Sequence, residues 1–382
     1  MSLNSPTLAD KAFKEAVERN PVLSLKHEDS VNYIFITDIH YNSETEYLGD
    51  AIVSQIKAAV DFANNNECID FIAIGGDITT GMFAAKEDAF KETNKALAPL
   101  KECKKPVLVL MGNHDDNCYH IYSEDKYDTN RIISKKDWNE NVSGPIIPKD
   151  IVRNDKDPDG RYYYYDLKSK KTRIICLDAL DYDYEPDDKG GIKNLIYLGK
   201  KAYPADEYIS GATWWGYSEK QMKWLIESAL NAPKGYNYVF ISHMGVDFET
   251  NCYSFKTKFG DELRKIITAY QNKGVFEDEA IGTKDFSGAL GKILVYHFGH
   301  IHMELFLHSP DMNLTQISTG STNWWQMGKG GKENPHINDK TLDWRTYERS
   351  RGNTNEAMMD IVLASENGIK KIAVGAGIDY ER

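Results

Sequence analysis

The chain has 382 residues, of which 41% are hydrophobic, and its formal net charge is −12. This length and composition are sufficient for a substantial hydrophobic core. The acidic balance, without a run of Lys and Arg, argues against binding to duplex nucleic acid. No apolar run approaches the length of a membrane span, so we expect no membrane association.

Five cysteines are irregularly spaced, and none forms a CxxC pair. They are Cys68, Cys103, Cys118, Cys176 and Cys252. An odd number of cysteines without the regular spacing of a disulfide framework is typical of reduced thiols in a cytosol. The N-terminal segment is polar and lacks the apolar stretch of a signal peptide. We therefore expect a cytoplasmic protein.

After an N-terminal helical extension over 1–30, short apolar runs recur, with amphipathic helical patterns between several of them. The runs predicted as strands are NYIFI (32–36), DFIAI (70–74), VLVLM (107–111), RIICL (173–177), YVFIS (238–242) and KILVYHF (292–298). The predicted helices cover 51–65, 86–100, 218–230 and residues near 261–272. Ser218 and Gln221 suit a capping box at the start of the third helix. This alternation predicts an α/β protein.

The C-terminal part, 303–382, has a different pattern. Its strand-like segments are MELFLHS, NLTQIST, MMDIVLAS and IKKIAVG, and the ENG at 366–368 suits a hairpin turn. This part should be mainly antiparallel β. We therefore expect one domain over 31–382 that ends in these strands.

Two stretches of that domain have the character of insertions. Residues 116–160 are polar and irregular, and residues 180–216 are acidic and rich in Tyr and Trp. The aromatic run RYYYYDL is typical of a half-buried strand. Trp214 and Trp215 could line a substrate pocket or anchor the second insertion to the body.

Polar side chains follow five of the predicted strands at the point where each strand ends. They are Asp38 and His40 after YIFI, Asp77 after FIAI, Asn113, His114 and Asp115 after LVLM, His243 after YVFI, and His300 and His302 after VYHF. Alone, Asp38 could cap a helix and Asn113 could stabilise a loop. In α/β sheets, however, ligands bind outside the carboxyl ends of the strands. Five such blocks at one sheet edge predict a single site.

The donors in these blocks indicate a metal site. They comprise two carboxylates, one amide and four imidazoles, without a thiolate: Asp38, Asp77, Asn113, His40, His243, His300 and His302. Such a nitrogen and oxygen set suits Mn, Fe, Zn or Ni better than a cysteine-type structural zinc. Seven donors are more than a single tetrahedral metal site can bind. They suit two metals about 3.5–4 Å apart that share a bridging carboxylate.

The ordered series D-x-H, G-D, G-N-H-D, H and G-H-x-H resembles the signature of the calcineurin-like metallophosphoesterase superfamily, and here it spans residues 38–302. The ending AVGAGIDYER resembles that of some bacterial and phage-type members. Thr80 stands where purple acid phosphatases have a metal-binding Tyr, so no iron–tyrosinate is expected. The G-D-x-V-D-R-G block of the protein Ser/Thr phosphatases is absent from the sequence.

The resemblance implies a four-layer αββα sandwich and two divalent or trivalent metal ions, with Mn, Fe or Zn as candidates. By resemblance, the first metal would bind Asp38, His40 and His302, the second would bind Asn113, His243 and His300, and Asp77 would bridge both. A metal-bridging hydroxide would attack phosphorus. His114 would serve the leaving-group oxygen as a general acid or a charge donor. Asp115 could orient His114 or cap the next helix.

The resulting hypothesis is a hydrolase that acts on a small phosphorylated substrate, either a phosphomonoester or a phosphodiester, nucleotides included. One alternative is a nuclease of the same fold, against which the acidic charge argues. A second alternative is a non-enzymatic scaffold, but all ligand positions and the GNHD histidine are retained. His297 lies off the face of the two later histidines, so a structural role or a role in supporting the ligands is expected for it rather than ligation.

Overall fold

The computed structural model describes residues 6–43, 46–117, 129–181, 209–210, 213–214, 216–246, 257–323, 345 and 347–382. Both predicted insertions therefore lie partly outside the described residues. The side chains of Trp214 and Trp215 also lie outside them, so their two alternative roles stay predictions.

Within these residues the strands have the following bounds: β1 Val31–Ile36, β2 Phe71–Ile74, β3 Val107–Val109, β4 Tyr163–Leu167, β5 Thr172–Cys176, β6 Ile209–Ser210, β7 Thr213–Trp214, β8 Asn237–Ile241, β9 Val275–Asp278, β10 Gly282–Asp285, β11 Ile293–Phe298, β12 Leu305–Ser309, β13 Leu314–Ser318, β14 Met358–Ser365, β15 Gly368–Gly375 and β16 Tyr380–Glu381. The α-helices are α1 Leu8–Arg19, α2 Glu46–Asn65, α3 Lys86–Ala96, α4 Lys135–Trp138, α5 Glu219–Trp224 and α6 Gly260–Gln271.

Two six-stranded sheets form the body. The first sheet has the order β16-β15-β14-β1-β2-β3, and the second has the order β12-β13-β11-β8-β5-β4. Strands β1, β2 and β3 are parallel to one another, as are β5, β8, β11 and β13. The carboxyl ends of parallel strands meet at one edge of a sheet, so each sheet carries several loops at that edge.

Side-chain alternation along the strands explains why helices cover the outer faces. On β8, Val239 and Ile241 join the core shared with the first sheet, whereas Tyr238 and Phe240 join the core that includes α5 and α6. Successive residues of a strand point to opposite faces, so a strand that is apolar on both faces needs a cover on each. The layers are helix, sheet, sheet and helix, which confirms the predicted αββα sandwich.

The C-terminal strands divide between the two sheets. β12 and β13 extend the second sheet, and β14, β15 and β16 extend the first. β14 and β15 form an antiparallel hairpin that Ser365 and Gly368 close, in agreement with the predicted ENG turn. The predicted antiparallel β character is confirmed here, with one exception, since β13 pairs in parallel with β11.

The N-terminal helix packs onto the first sheet's helical layer. The Phe13 ring stacks on Phe62 of α2 with 4.6 Å between centroids, and an Arg19 guanidinium nitrogen donates to the Ala373 carbonyl at 2.7 Å. The domain bounds at 1–30 and 31–382 stay predictions. In the described part of the chain, no helix is both long and apolar enough to cross a membrane.

The predicted helix over 218–230 begins as expected but without a full capping box. The Ser218 hydroxyl accepts the Gln221 amide N–H at 3.0 Å. The Gln221 side chain does not return to Ser218; it bonds the Asp178 backbone N–H and carbonyl, both at 2.9 Å. Gln221 therefore holds the loop after β5 and does not complete the box, which corrects that prediction.

Candidate metal centre

Five loops at the carboxyl ends of β1, β2, β3, β8 and β11 converge at one edge of the sandwich. Five of their side-chain donors adopt a left-handed backbone, which is uncommon for residues other than glycine. Their φ angles are 52° for Asp38, 43° for His40, 52° for Asp77, 72° for His300 and 57° for His302. Strained backbone of this kind concentrates at functional sites. The sharp turns bring donors from separate strands together.

Two glycines allow these loops to approach closely. A Cβ at Gly112 would lie 2.1 Å from the Asp77 amide nitrogen, and a Cβ at Gly299 would lie 2.1 Å from the Thr37 hydroxyl oxygen. Real Cβ atoms do not approach other atoms this closely. The glycines in G-N-H-D and G-H-I-H therefore serve to pack one loop against another.

The first cluster joins β1, β2 and β11. One donor atom from each of Asp38, His40, Asp77 and His302 lies within 4.8 Å of all the others. The His302 Nε2 lies 3.2 Å from an Asp38 oxygen and 3.0 Å from the His40 Nε2. The His40 Nε2 also lies 3.7 Å from Asp77 Oδ2. These four residues could hold one metal ion.

The second cluster contains Asp77, His243 and His300, whose donor atoms again lie within 4.8 Å of one another. The His243 Nε2 lies 3.4 Å from Asp77 Oδ2 and 3.0 Å from the Asn113 side-chain oxygen. Asp77 thus belongs to both clusters. Its other oxygen, Oδ1, accepts the His114 backbone N–H at 2.8 Å, which fixes the carboxylate between them.

Backbone contacts orient several of these side chains. The His243 Nδ1 lies 2.8 Å from the Gly75 carbonyl, so this nitrogen carries the proton and Nε2 faces the cluster. Asp38 accepts the His300 backbone N–H at 2.9 Å and the Thr37 hydroxyl at 2.9 Å. Such contacts fix ligand orientation and ring tautomer.

The electrostatics of the site favour a bound cation. Burial lowers the pKa of His40 and His300 well below the usual range, so both rings are neutral near pH 7. Burial acts in the same direction on His243, but the nearby Asp77 carboxylate overcomes it and raises that pKa to about 9. Within the described residues, Asp38 and Asp77 form ion pairs with histidines alone.

The donor set fits a metal ion on geometric grounds as well. The Nε2 atoms of His40 and His302 lie 3.0 Å apart, so a proton must separate them unless another cation does. The buried His40 Nδ1 has no hydrogen-bond partner within the described residues. Imidazole nitrogens beside carboxylate oxygens suit a transition metal.

His114 lies beside the clusters and belongs to neither. Its Nδ1 lies 2.8 Å from the Thr80 carbonyl, which only accepts, so Nδ1 carries a proton. The Nε2 is 3.9 Å from Asp77 Oδ2, and the side chain is 21% exposed. A substrate at the site could therefore reach this ring.

Asp115 stabilises the loops through their backbone. Its carboxylate accepts the N–H groups of Ile78 at 2.7 Å, Thr79 at 3.2 Å and Gly112 at 2.8 Å. These bonds join the loop after β2 to the loop after β3, and none goes to the His114 ring. A helix cap would act on residues 118–128, which lie outside the described residues. Both predicted roles of Asp115, orientation of His114 and a helix cap, therefore stay predictions.

One supporting segment was not identified from the sequence. The Ser321 hydroxyl donates to the Asp38 carbonyl at 2.7 Å, and the Asn323 amide donates to the His40 carbonyl at 3.1 Å. The segment follows β13, so the rule that polar residues follow parallel strands could have identified it. It supports the strand end that carries the first two predicted ligands.

The chain is similar to known proteins in both its sequence pattern and its fold. The model of the family described as calcineurin-like phosphoesterase matches residues 31–304. A solved dimetal phosphatase from Danio rerio is 14% identical with a TM-score of 0.57, and the match covers 92% of this chain and 98% of that one. The structure described as GAP50, the anchor in the inner membrane complex of Plasmodium, is 12% identical with a TM-score of 0.45, covering 93% and 88%. No curated protein sequence matches the chain.

Proposed function

Because the chain belongs to the calcineurin-like phosphoesterase family and is a phosphoesterase hydrolase, we propose that it hydrolyses a small phosphomonoester or phosphodiester, nucleotides included, at a dinuclear metal site. The observation that supports this most directly is the Asp77 carboxylate, which is shared by two donor clusters. Membership of a bacterial or phage-type branch and a cytoplasmic location stay predictions.

We assign the ligands from the two clusters. The first metal would bind the donors of the first cluster, the second metal would bind those of the second cluster together with Asn113, and Asp77 would bridge the two. The nitrogen and oxygen donors suit Mn, Fe or Zn. When bound, two such ions supply acidification of water and neutralisation of charge on the phosphoryl oxygens.

His114 is the candidate general acid. Its Nδ1–H is engaged by the Thr80 carbonyl, so the proton that it can deliver is on Nε2, which faces the clusters. Hydrolysis breaks the bond between phosphorus and the ester oxygen, and that oxygen needs a proton to leave as an alcohol. Asp115 would act only by holding the His114 loop in place.

The test is hydrolysis of p-nitrophenyl phosphate and bis-p-nitrophenyl phosphate by protein stripped with a chelator and then reloaded. We expect turnover only after Mn²⁺, Fe²⁺ or Zn²⁺ is restored, and the faster of the two substrates separates monoesterase from diesterase. No turnover with any of these ions would overturn the proposal and favour the scaffold alternative. The nuclease alternative instead predicts cleavage of oligonucleotides, with binding that weakens steeply as salt rises.

A further inference from the structure

A continuous series of polar side chains crosses the core between the two sheets. Core positions between packed sheets are normally apolar. We call this series the cross-sheet network, and each of its members is 0% exposed. The members are Tyr33, His297, Thr319, Asp360, Lys371 and Glu304.

The ionic half of the network contains two carboxylates and one ammonium. The Lys371 Nζ lies 3.1 Å from an Asp360 oxygen and also contacts Glu304. Burial raises the pKa of Asp360 to about 6, so this carboxyl is ionised at pH 7. An ionised carboxylate only accepts hydrogen bonds. Asp360 therefore fixes the direction of the bonds that follow.

The neutral half of the network continues to β1. The Thr319 hydroxyl donates to Asp360, so it must accept the proton of the His297 Nε2, which lies 2.7 Å away. The His297 Nδ1 then accepts from the Tyr33 hydroxyl at 3.0 Å. Burial lowers the pKa of His297 well below its usual range, which agrees with a neutral ring. Each hydrogen bond in this half of the network therefore has a fixed donor and a fixed acceptor.

The network contacts the elements that carry the proposed first-metal ligands. Glu304 is two residues beyond His302, and Tyr33 lies on β1, which ends just before Asp38. Thr319 opens the segment whose Ser321 and Asn323 side chains bond the backbone of that strand end. The same network therefore links the two strand ends that supply ligands from opposite sheets.

Stability alone does not account for such a network. A buried lysine with two carboxylates is often no more stabilising than well-packed apolar residues of similar volume. What hydrogen bonds of fixed direction add is one defined arrangement of the groups they join. We propose that the cross-sheet network is a positioning device for the first metal, with Thr319 as its central positioning residue. This inference rests on the proposed metal ligands.

The experiment compares two substitutions at Thr319. Thr319→Val keeps the shape and removes the hydroxyl, whereas Thr319→Ser keeps the hydroxyl and loses a methyl group. We expect Thr319→Val to weaken the binding of one of two Mn²⁺ ions by about tenfold, the lower end of the loss caused by removing a ligand's own hydrogen-bond partner, because Thr319 bonds His297 and Asp360 and acts on the ligands through them. Thr319→Ser should stay within about threefold of the wild type, because it retains the hydroxyl that joins His297 to Asp360. If packing alone mattered, the order of the two variants would be reversed.

The measurement is Mn²⁺ per chain after dialysis against buffered free Mn²⁺, with apoprotein stability in chelator measured alongside. Thr315→Val is the matched control, since Thr315 is a buried threonine on β13 whose hydroxyl contacts, among the described residues, His308 alone, at 3.4 Å. The free Mn²⁺ concentration is set so that it just saturates both sites of the wild type. At that concentration we expect two ions for the wild type, Thr319→Ser and Thr315→Val, and one ion for Thr319→Val.

Each outcome separates this inference from the proposed function. Equal Mn²⁺ affinity in Thr319→Val and the wild type would overturn the positioning role and leave the metal site intact. A wild type that binds no Mn²⁺, Fe²⁺ or Zn²⁺ would overturn the proposed function itself. If Thr319→Val does not fold, Tyr33→Phe removes only the terminal hydroxyl, and it must shift Mn²⁺ affinity in the same direction for the inference to stand.

Discussion

Two regions of this molecule bury carboxylates, and they compensate the charge differently. Around Lys371, the carboxylates of Glu304 and Asp360 share an ammonium that the chain supplies itself. At the metal centre, Asp38 and Asp77 have only histidines as ion-pair partners in the described part of the chain. The first region is electrostatically nearly complete, whereas the second is arranged to receive a cation from outside.

The backbone conformation also differs between the two regions. Asp360 and Lys371 lie within the regular strands β14 and β15, while the metal centre is formed by residues of left-handed backbone at strand ends. Regular strands hold the ionic cluster without strain. The strained turns persist because the surrounding loops fix them, and such strain is a mark of function.

The largest effect should come from Asp77→Asn, which tests whether the metal centre depends on an external cation. We expect loss of both metal ions and a fall in hydrolysis of at least about a thousandfold, since several kcal/mol of charge stabilisation are lost with the ions. The readouts are metal content and kcat. Asp61→Asn, at a surface ion pair with Lys57 of α2, is the control and should change neither. Full metal content in Asp77→Asn would contradict the bridging assignment.

His114→Ala should separate chemistry from metal binding within the same centre. We expect both metals to remain and kcat to fall by about 10²–10⁴, the usual contribution of a general acid. The loss should be larger for an alkyl phosphate than for p-nitrophenyl phosphate, because the poorer leaving group needs the proton more. His308→Ala, on β12, is the control. Loss of a metal ion in His114→Ala would show that our assignment of its role is wrong.

Lys371→Met tests the other region, the ionic cluster around Lys371. Removal of the ammonium leaves two buried carboxylates without their cation, which should lower the free energy of unfolding by about 3–5 kcal/mol. The measurement is urea unfolding in chelator, so that metals do not contribute. Lys370→Met is the control, because Lys370 pairs with Glu381 at the surface, where ion pairs contribute under about 1 kcal/mol.

The two regions also should respond differently to neutralisation of their carboxylates. Adding Asp360→Asn and Glu304→Gln to Lys371→Met should restore much of the lost stability, because no charge then remains buried. Asp77→Asn should instead lower the stability of the apoprotein at pH 7. Burial raises the pKa of Asp77, but the facing histidines outweigh it and hold that pKa well below its usual range, so the folded state favours the ionised carboxylate. If Lys371→Met were as stable as the wild type, the network would not contain an ionised pair.

The convergence of the donor residues at one sheet edge could be predicted from sequence because its signal is local. Each donor follows an apolar run by one to a few residues, and parallel strands bring those positions to one edge. The αββα layers followed from the alternation of strand and helix patterns together with the family resemblance. In both cases the decisive information lies within a few residues of each element.

The cross-sheet network could not be predicted, because its partners are distant in sequence and look ordinary on their strands. In IKKIAVG, period two predicts that one of the two lysines faces inward but not that Lys371 would meet Glu304. The backbone contacts of Asp115 could not be predicted for a related reason. Its three backbone donors come from two different loops, and a sequence pattern does not show backbone N–H directions.

Asp70 offers a third way to bury a carboxyl group, at the opposite edge of the first sheet. It precedes β2, accepts the Asn32 backbone N–H at 2.8 Å, and lies 3.8 Å from the Lys170 ammonium. Burial raises the pKa of Asp70 to about 6. Here the Lys170 ammonium offsets the effect of burial only in part, so the group retains its proton to higher pH.

The smallest predicted effect follows from this shift and has a defined sign. Because the folded-state pKa of Asp70 lies above the unfolded value near 4, the folded state binds the proton more tightly. The contribution of Asp70 to stability is therefore full below about pH 4 and is lost as pH rises through about 6. Relative to Asp70→Asn, the wild type should lose about 1–3 kcal/mol of unfolding free energy across this range, measured in chelator. Both proteins share every other titrating group, so a flat or rising difference would show that Asp70 is compensated as fully as the Lys371 cluster.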